Sequence, residues 1–308
     1  MESQEPIFQG TYTAIITPFK GEGGYEIDYG NLRTQLARQV EEGVHIVVCG
    51  TTGESPTLLE DEQKELIKYT VETVAELGGG VQVVAGVGCN DTRRAVLMSK
   101  CAAEYGADGL LVVSPAYNKP SDAGILDYFH QVANASSLPI MAYNVPGRTA
   151  RNMPPGLVEQ IAERNETVVA LKEASGDFSQ IQDIIYRLQD GRAGNFSVLS
   201  GDDAMTMGLM AVGAQGVVSV TSNLVPQRVK CVVDAMQFRE VNIAMILHER
   251  LLPLHAAMFL PGESNPGPVK TAMKLMGLDN GICRSPVMPV VGENSVQLEQ
   301  VLRGYNLI

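Results

Sequence analysis

Along this chain, short unbroken apolar runs rich in β-branched residues alternate with stretches whose apolar positions fall at helical spacing. The runs occupy residues 13–17, 45–49, 81–86, 110–113, 139–143, 168–172, 196–199 and 216–220. Because they are continuous rather than alternately apolar and polar, they predict parallel strands covered on both faces. Between them, 61–77 puts Leu66, Ile67, Val71, Val74 and Ala75 on one side and charges opposite, the pattern of an amphipathic helix. A second helix, 91–105, begins at Asp91 or Thr92, either of which can accept the free N–H groups of a first turn. The strands return about every 30 residues, the length of one βα unit. Eight such units predict an α/β protein, a closed (β/α)8 TIM barrel over residues 1–237. From residue 239 the pattern turns helical, with 243–247 and 269–276 both amphipathic. A C-terminal helical appendage over 238–308 is expected, too short and too apolar on one face to stand alone.

The length of 308 residues would suit two domains of roughly 100–200 residues. A barrel of this kind uses about 250 by itself, so no boundary beyond the appendage is needed. No apolar run approaches the ~20 residues that span a bilayer, and no membrane segment is expected. The N-terminus, Met1-Glu2-Ser3-Gln4-Glu5-Pro6, has neither a basic region nor an apolar one, so no secretion signal is expected there. A net charge of −12 argues against nucleic acid and anionic membrane, both of which need a basic footprint. It does not exclude an anionic substrate, since a few local donors can hold one carboxylate.

The five cysteines, Cys49, Cys89, Cys101, Cys231 and Cys283, are odd in number, widely spaced and form no C-x-x-C pair, which points to the cytoplasm. Cys49, inside an apolar run, reads as a small buried hydrophobe. The four histidines lack metal-ligand spacing. His248 and His255, seven apart, can share a helix face, and a plain helix surface is the reading there.

In such a barrel the chemistry gathers at the C-terminal ends of the strands, and polar residues do concentrate there. The second run leads into Gly50-Thr51-Thr52-Gly53-Glu54, the fourth into Ser114-Pro115-Ala116-Tyr117-Asn118, and the fifth into Asn144-Val145-Pro146-Gly147-Arg148-Thr149. The sixth ends in Lys172-Glu173, and the seventh leads to Ser200-Gly201-Asp202-Asp203. Strand parity puts Val168, Ala170 and Lys172 on one face. If Ala170 points inward, so does the ammonium, and burial would lower its pKa toward the neutral amine that forms Schiff bases. The alternative is a strand-end lysine turned to solvent or paired with Glu173. Tyr143 shares parity with Met141 on the neighbouring strand. It is either a proton relay for imine chemistry or a core aromatic with a satisfied hydroxyl. Gly50-Thr51-Thr52-Gly53 is either a backbone nest for a small carboxylate or an ordinary βα turn. Arg148 is either a fork for a second carboxylate or a solvated loop arginine.

Together these stretches resemble the dihydrodipicolinate synthase/N-acetylneuraminate lyase superfamily of class I aldolase barrels. That family carries a Gly-Thr-Thr-Gly-Glu element, a Tyr-Asn-x-Pro element and a Lys-Glu-containing sixth strand. The resemblance runs from about Gly10 to the C-terminus and includes Gly216-Val217-Val218-Ser219-Val220 and Asn265-Pro266-Gly267-Pro268-Val269-Lys270. Arg148 in its turn looks like the synthase branch, which implies condensation of pyruvate with aspartate semialdehyde in the diaminopimelate and lysine pathway. The resemblance implies that Lys172 forms the imine and that Thr51, Tyr143 and Tyr117 relay protons. It implies that Thr52 donates its backbone N–H to the pyruvate carboxylate and that Arg148 holds the semialdehyde carboxylate. The main-chain carbonyls of Gly201 and Val218 would line the site. No metal or organic cofactor is implied. Tyr117 would reach the active site of an adjacent subunit, so a tight dimer is implied, with two dimers forming a homotetramer.

The chain departs from the family at the site where lysine inhibits its bacterial members. Glu60, Gln63, Arg94 and Ala116 stand where those carry histidines, a glutamate and a tyrosine, while Ser55 and Asn90 remain. Arg94 would repel the ε-ammonium of lysine. Two rival readings are a 2-keto-3-deoxy sugar-acid aldolase on the same barrel and a non-catalytic oligomeric binding protein. Assays with aspartate semialdehyde and with 2-keto-3-deoxygluconate separate the first. Reductive trapping of pyruvate separates the second.

Overall fold

A computed structural model describes residues 6–191 and 196–308; the stretch 1–5, read above for a secretion signal, lies outside them. The eight runs become eight parallel strands: β1 (Gly10–Ala14), β2 (His45–Val48), β3 (Val83–Gly86), β4 (Gly109–Val113), β5 (Ile140–Asn144), β6 (Val168–Glu173), β7 (Ser197–Ser200) and β8 (Gly216–Ser219). Each pairs with its neighbours in sequence, and β1 closes the barrel against β8, with Tyr12 opposite Val218. Alternate side chains fill the interior, among them Tyr12, Val47, Leu111, Met141, Ala170 and Leu199. The others, such as Ile46, Val83, Leu110 and Leu171, pack outward in one cluster with the helices. Coverage on both faces is why the strands read as unbroken apolar runs.

Two strands differ from the pattern. β1 lies three residues earlier than the run at 13–17, because Gly10 and the polar yet buried Thr11 interrupt the apolar pattern there. Thr13 sits among partners, its hydroxyl 2.6 Å from Gln39 and 2.7 Å from Ser222. In β6 the register shifts: Ile140 faces Val168, but Met141 faces Ala170. The extra residue, Val169, reverses the parity, so Val168 packs in the outer cluster while Ala170 lies inside. Val168 and Lys172 therefore do not share a face, although Ala170 and Lys172 do.

Helices follow the strands: α1 (Tyr29–Glu41), α2 (Glu60–Glu76), α3 (Thr92–Glu104), α4 (Asp122–Ala133), α5 (Pro155–Arg164), α6 (Phe178–Gly191), α7 (Thr206–Ala211) and α8 (Pro226–Gln237). Asp91 caps α3, accepting the Arg93 N–H at 3.0 Å. Beyond α8 come α9 (Val241–Ala257), α10 (Gly267–Leu275) and α11 (Gly292–Gly304). Their apolar faces join α8 and β8 in one cluster, with Val217, Val233, Leu254, Met273 and Leu302 all buried in it. On α9 the rings of His248 and His255 stand 5.9 Å apart. His255 is not a plain surface residue: it is buried and bonded to the Thr221 hydroxyl at 2.9 Å. Among the described residues, no helix is long and apolar enough to cross a membrane, and no group of three or more His, Cys, Asp or Glu is arranged to hold a metal ion.

Candidate active site

The register of β5 on β6 sets Tyr143 directly beside Lys172. Both point into the barrel mouth, and the lysine Nζ lies 4.3 Å from the centre of the tyrosine ring. Lys172 is 6% exposed. Burial lowers its pKa to about 7, against a pull upward from Asp203, and Arg148 lowers it further. The alternative pairing with Glu173 does not occur. Glu173 faces outward, where Asn144 Nδ2 donates to it at 2.9 Å and the Ser175 N–H at 2.6 Å. The outer and inner faces of one strand thus separate a structural carboxylate from a buried amine.

Burial also pushes the Tyr143 phenol up to about 12, while Arg148 and the nearby Thr51 side chain lower it. Thr51 and Tyr143 are therefore coupled at the mouth beside Lys172. The turn carrying Thr51 has an unexpected source of curvature. Its left-handed residues are Cys49 (φ 56°) and Glu54 (φ 55°), not the glycines between them. Gly53 is small for a different reason: a Cβ there would lie 3.2 Å from the Ile15 carbonyl oxygen. Non-glycine residues at positive φ mark a conformation imposed by its surroundings. The turn closes through Glu54 N–H to Thr51 O (3.0 Å) and Ser55 N–H to Gly50 O (3.3 Å), which leaves the Thr51 and Thr52 amides out of its own bonds.

The cavity at these strand ends has a volume of about 160 Å³. That is room for roughly five waters at ~30 Å³ each, a scale that suits a small acid. Thr51, Thr52, Tyr143, Arg148, Lys172 and Gly201 all line it. Arg148, on the single helical turn Pro146–Thr149, is exposed and makes no ion pair among the described residues. Gly201 must be glycine, since a Cβ would stand 2.7 Å from Ala174 Cβ and 3.2 Å from Lys172 Cε. Val218 lies inside the barrel, and Val220 lines the cavity at that strand instead. Tyr117 stands apart, 89% exposed with φ 61° on the loop after β4. A larger groove of about 790 Å³ between α8, α9 and α11 contains none of these strand-end residues.

Two residues of the C-terminal region complete the mouth: Phe259 and Asn265. Asn265 is buried and donates from Nδ2 to Thr52 Oγ1 at 3.0 Å, and its Oδ1 has no partner among the described residues. The Asn265-Pro266 sequence was the only signal for it. Asp202 also lines the cavity, and Asp203 is buried behind it.

Known proteins resemble this chain along nearly their whole length. The sequence pattern of the dihydrodipicolinate synthetase family matches residues 7–304. A 4-hydroxy-tetrahydrodipicolinate synthase of Methanoculleus marisnigri is 42% identical over 297 residues, 96% of this chain and 99% of that protein. The crystal structure of dihydrodipicolinate synthase from Aquifex aeolicus superposes with a TM-score of 0.92 at 41% identity, covering 97% of this chain and 99% of that one. A dihydrodipicolinate synthase from Acinetobacter baumannii, solved in complex with pyruvate, reaches a TM-score of 0.91 at 34% identity over 97% of this chain and 99% of its own. Since the match runs through the barrel, the cavity and the C-terminal helices alike, the chain belongs to the dihydrodipicolinate synthetase family.

Proposed function

We propose that this chain is a 4-hydroxy-tetrahydrodipicolinate synthase, a lyase of lysine and diaminopimelate biosynthesis that condenses pyruvate with L-aspartate 4-semialdehyde through a Schiff base. The observation that carries the reading is Lys172, a buried amine with a lowered pKa, in register with Tyr143 inside a cavity bounded by Thr51, Thr52 and Arg148. The lone pair of the neutral amine attacks C2 of pyruvate. One N–H proton moves to the carbonyl oxygen, the Tyr143 phenol gives a second, and the C–O bond breaks to release water. The imine nitrogen keeps one hydrogen and a positive charge, and Tyr143 is reprotonated from solvent. The pyruvate carboxylate sits against the Thr51–Thr52 turn. Loss of a methyl proton then gives the enamine, which attacks the aldehyde. Finally the amine of the second substrate displaces Lys172 and closes the ring. In this reading the main-chain carbonyls of Gly201 and Val218 help to position Lys172; Gly201 lines the cavity, and Val218 lies inside the barrel. The five cysteines are unpaired thiols, which supports a cytoplasmic setting.

Incubation with pyruvate and borohydride, followed by peptide mass analysis, tests the core of this reading. A single adduct on Lys172 is expected, and an unmodified protein or a tag elsewhere would sink it. Arg148 supplies the specificity for the second substrate. Arg148→Ala should raise KM for the semialdehyde about 10- to 100-fold, the worth of a charge-assisted pair. Because Arg148 also lowers the Lys172 pKa, the acid limb of the pH profile should move to higher pH in the same variant. An unchanged KM would remove Arg148 from substrate recognition.

Tyr117 is exposed in the single chain, which supports delivery of its phenol to a neighbouring subunit in a tight dimer, two of which build a tetramer. Tyr117→Phe should lose about 10²-fold or more in kcat while sedimentation still shows the dimer. Full turnover would exclude it from the relay. At the position of the family's lysine site, Arg94 donates to Gln63 at 3.1 Å, Gln63 donates to the Gly86 carbonyl at 2.8 Å, and Glu60 is paired with Lys64 at 2.7 Å. Gln63 and Glu60 are thus already held by other groups of the chain, and the guanidinium repels a second cation. Inhibition by L-lysine is expected to be weak or absent, and half-inhibition below a millimolar concentration would contradict it.

A further inference from the structure

Behind the cavity wall lies a carboxylate that the reaction scheme leaves without a purpose. Asp203 opens the short helical turn Asp203–Met205 after β7 and is 3% exposed. Its Oδ2 accepts the N–H groups of Val220 at 2.9 Å and Thr221 at 3.1 Å, and Val220 is part of the cavity wall. Its Oδ1 is buried with no hydrogen-bond partner among the described residues. A buried carboxylate is costly unless a cation balances it, so its persistence calls for a reason.

The groups that interact with it can be named element by element. From the cavity side they are Lys172, which also feels the Arg148 cation, and the neighbouring carboxylate Asp202. From α9 they are His248 and His255. The other packed elements, α7 and β8, carry no titratable side chain. Burial holds both imidazoles below their usual range although Asp203 pulls them upward, so neither is a standing cation near neutral pH. His255 instead braces the assembly through its 2.9 Å bond to Thr221, whose N–H Asp203 holds. That leaves Lys172, which becomes a lasting cation only when it is bound to a 2-oxo acid as the protonated imine.

We propose that Asp203 is a positioning residue of this enzyme: a fixed carboxylate, braced by Thr221 and His255, whose charge favours the cationic imine on Lys172 over the free amine. The charge is in place before the reaction, so no dipoles need to reorganise as the cation forms. This inference rests on the Schiff-base reading above.

Asp203→Asn keeps the shape and an oxygen for the two N–H donors while removing the charge. With the anion gone, the acid limb of pyruvate capture by borohydride should move down by about one pH unit. The limiting rate of capture should fall about tenfold or more. A carboxylate that serves only the fold would lower the melting temperature and leave the limb in place, and that result overturns the proposal. A second measurement needs no variant: the carbon resonance of [2-13C]pyruvate bound to the native chain is followed against pH. The imine should stay protonated to roughly pH 9 or above, held by the nearby anion; deprotonation near neutrality overturns the proposal. If the native chain captures no pyruvate at any pH, the Schiff-base reading itself falls and this inference with it. If the native chain is trapped and Asp203→Asn keeps both limb and rate, only the inference falls.

Discussion

Lys172→Met should abolish covalent capture of pyruvate, reduce turnover to background, and at the same time make the protein more resistant to urea. The first two results follow from removing the nucleophile. The third follows from linkage. The folded-state pKa of Lys172 is lowered to about 7 from an ordinary value of 10.5. Below about pH 7 both states are protonated and the fold carries the full cost of a buried cation. Between about 7 and 10.5 only the unfolded chain binds the proton, so stability rises with pH across that window and the cost disappears above it. At ~1.4 kcal/mol per pKa unit the full cost is on the order of 3–5 kcal/mol. Methionine fills nearly the same space without it. Urea unfolding at pH 6 and pH 10 checks this: the variant should be well ahead of the native chain at pH 6 and nearly level at pH 10. Equal stability at both would mean that Lys172 is not a desolvated amine.

Lys270→Met has the opposite sign. Lys270 Nζ lies 2.5 Å from Glu54 Oε1, both side chains fully buried, and 4.1 Å from the centre of the Phe19 ring. Methionine can replace the stem but leaves the Glu54 carboxylate without its cation, a loss of about 3–5 kcal/mol for a broken buried pair. Glu54 Oε2 also accepts the Arg284 N–H at 2.9 Å, so the carboxylate ties two C-terminal segments to the turn that bears Thr51 and Thr52. Lys270→Met should therefore melt lower and show a raised KM for pyruvate. Adding Glu54→Gln removes the stranded charge, keeps an acceptor for Arg284, and should restore most of the stability. A single variant within 1 kcal/mol of the native chain, measured by urea unfolding, would contradict the assignment.

The barrel was legible because its strands are buried on both faces and therefore spell themselves in unbroken apolar runs. β1 was displaced only where Thr11 hides burial behind a hydroxyl. Lys172 and Tyr143 were readable as inward residues from strand parity, and their register made them neighbours. The same parity failed at Val168, because a bulge leaves no mark in residue types. The Gly50–Glu54 stretch announced a tight turn, yet the strained residues are Cys49 and Glu54, whose conformation is set by packing rather than by their own preferences. The roles of Asn265 and Asp203 were hidden for a related reason, although both lie in stretches that the sequence singled out. Each matters through the group it faces across the fold, and no local pattern records that partner.

The mouth of the barrel is finished by Phe259 and Asn265, and its turn is anchored by Lys270 through Glu54, all encoded after the last barrel helix. During translation the nucleophile therefore leaves the ribosome long before the groups that close its pocket and anchor its turn. A polypeptide cut before residue 259 would hold Lys172 without the two residues that close its cavity. Closure of the sheet alone therefore does not complete the pocket; the segment from Phe259 to Lys270 must also be in place.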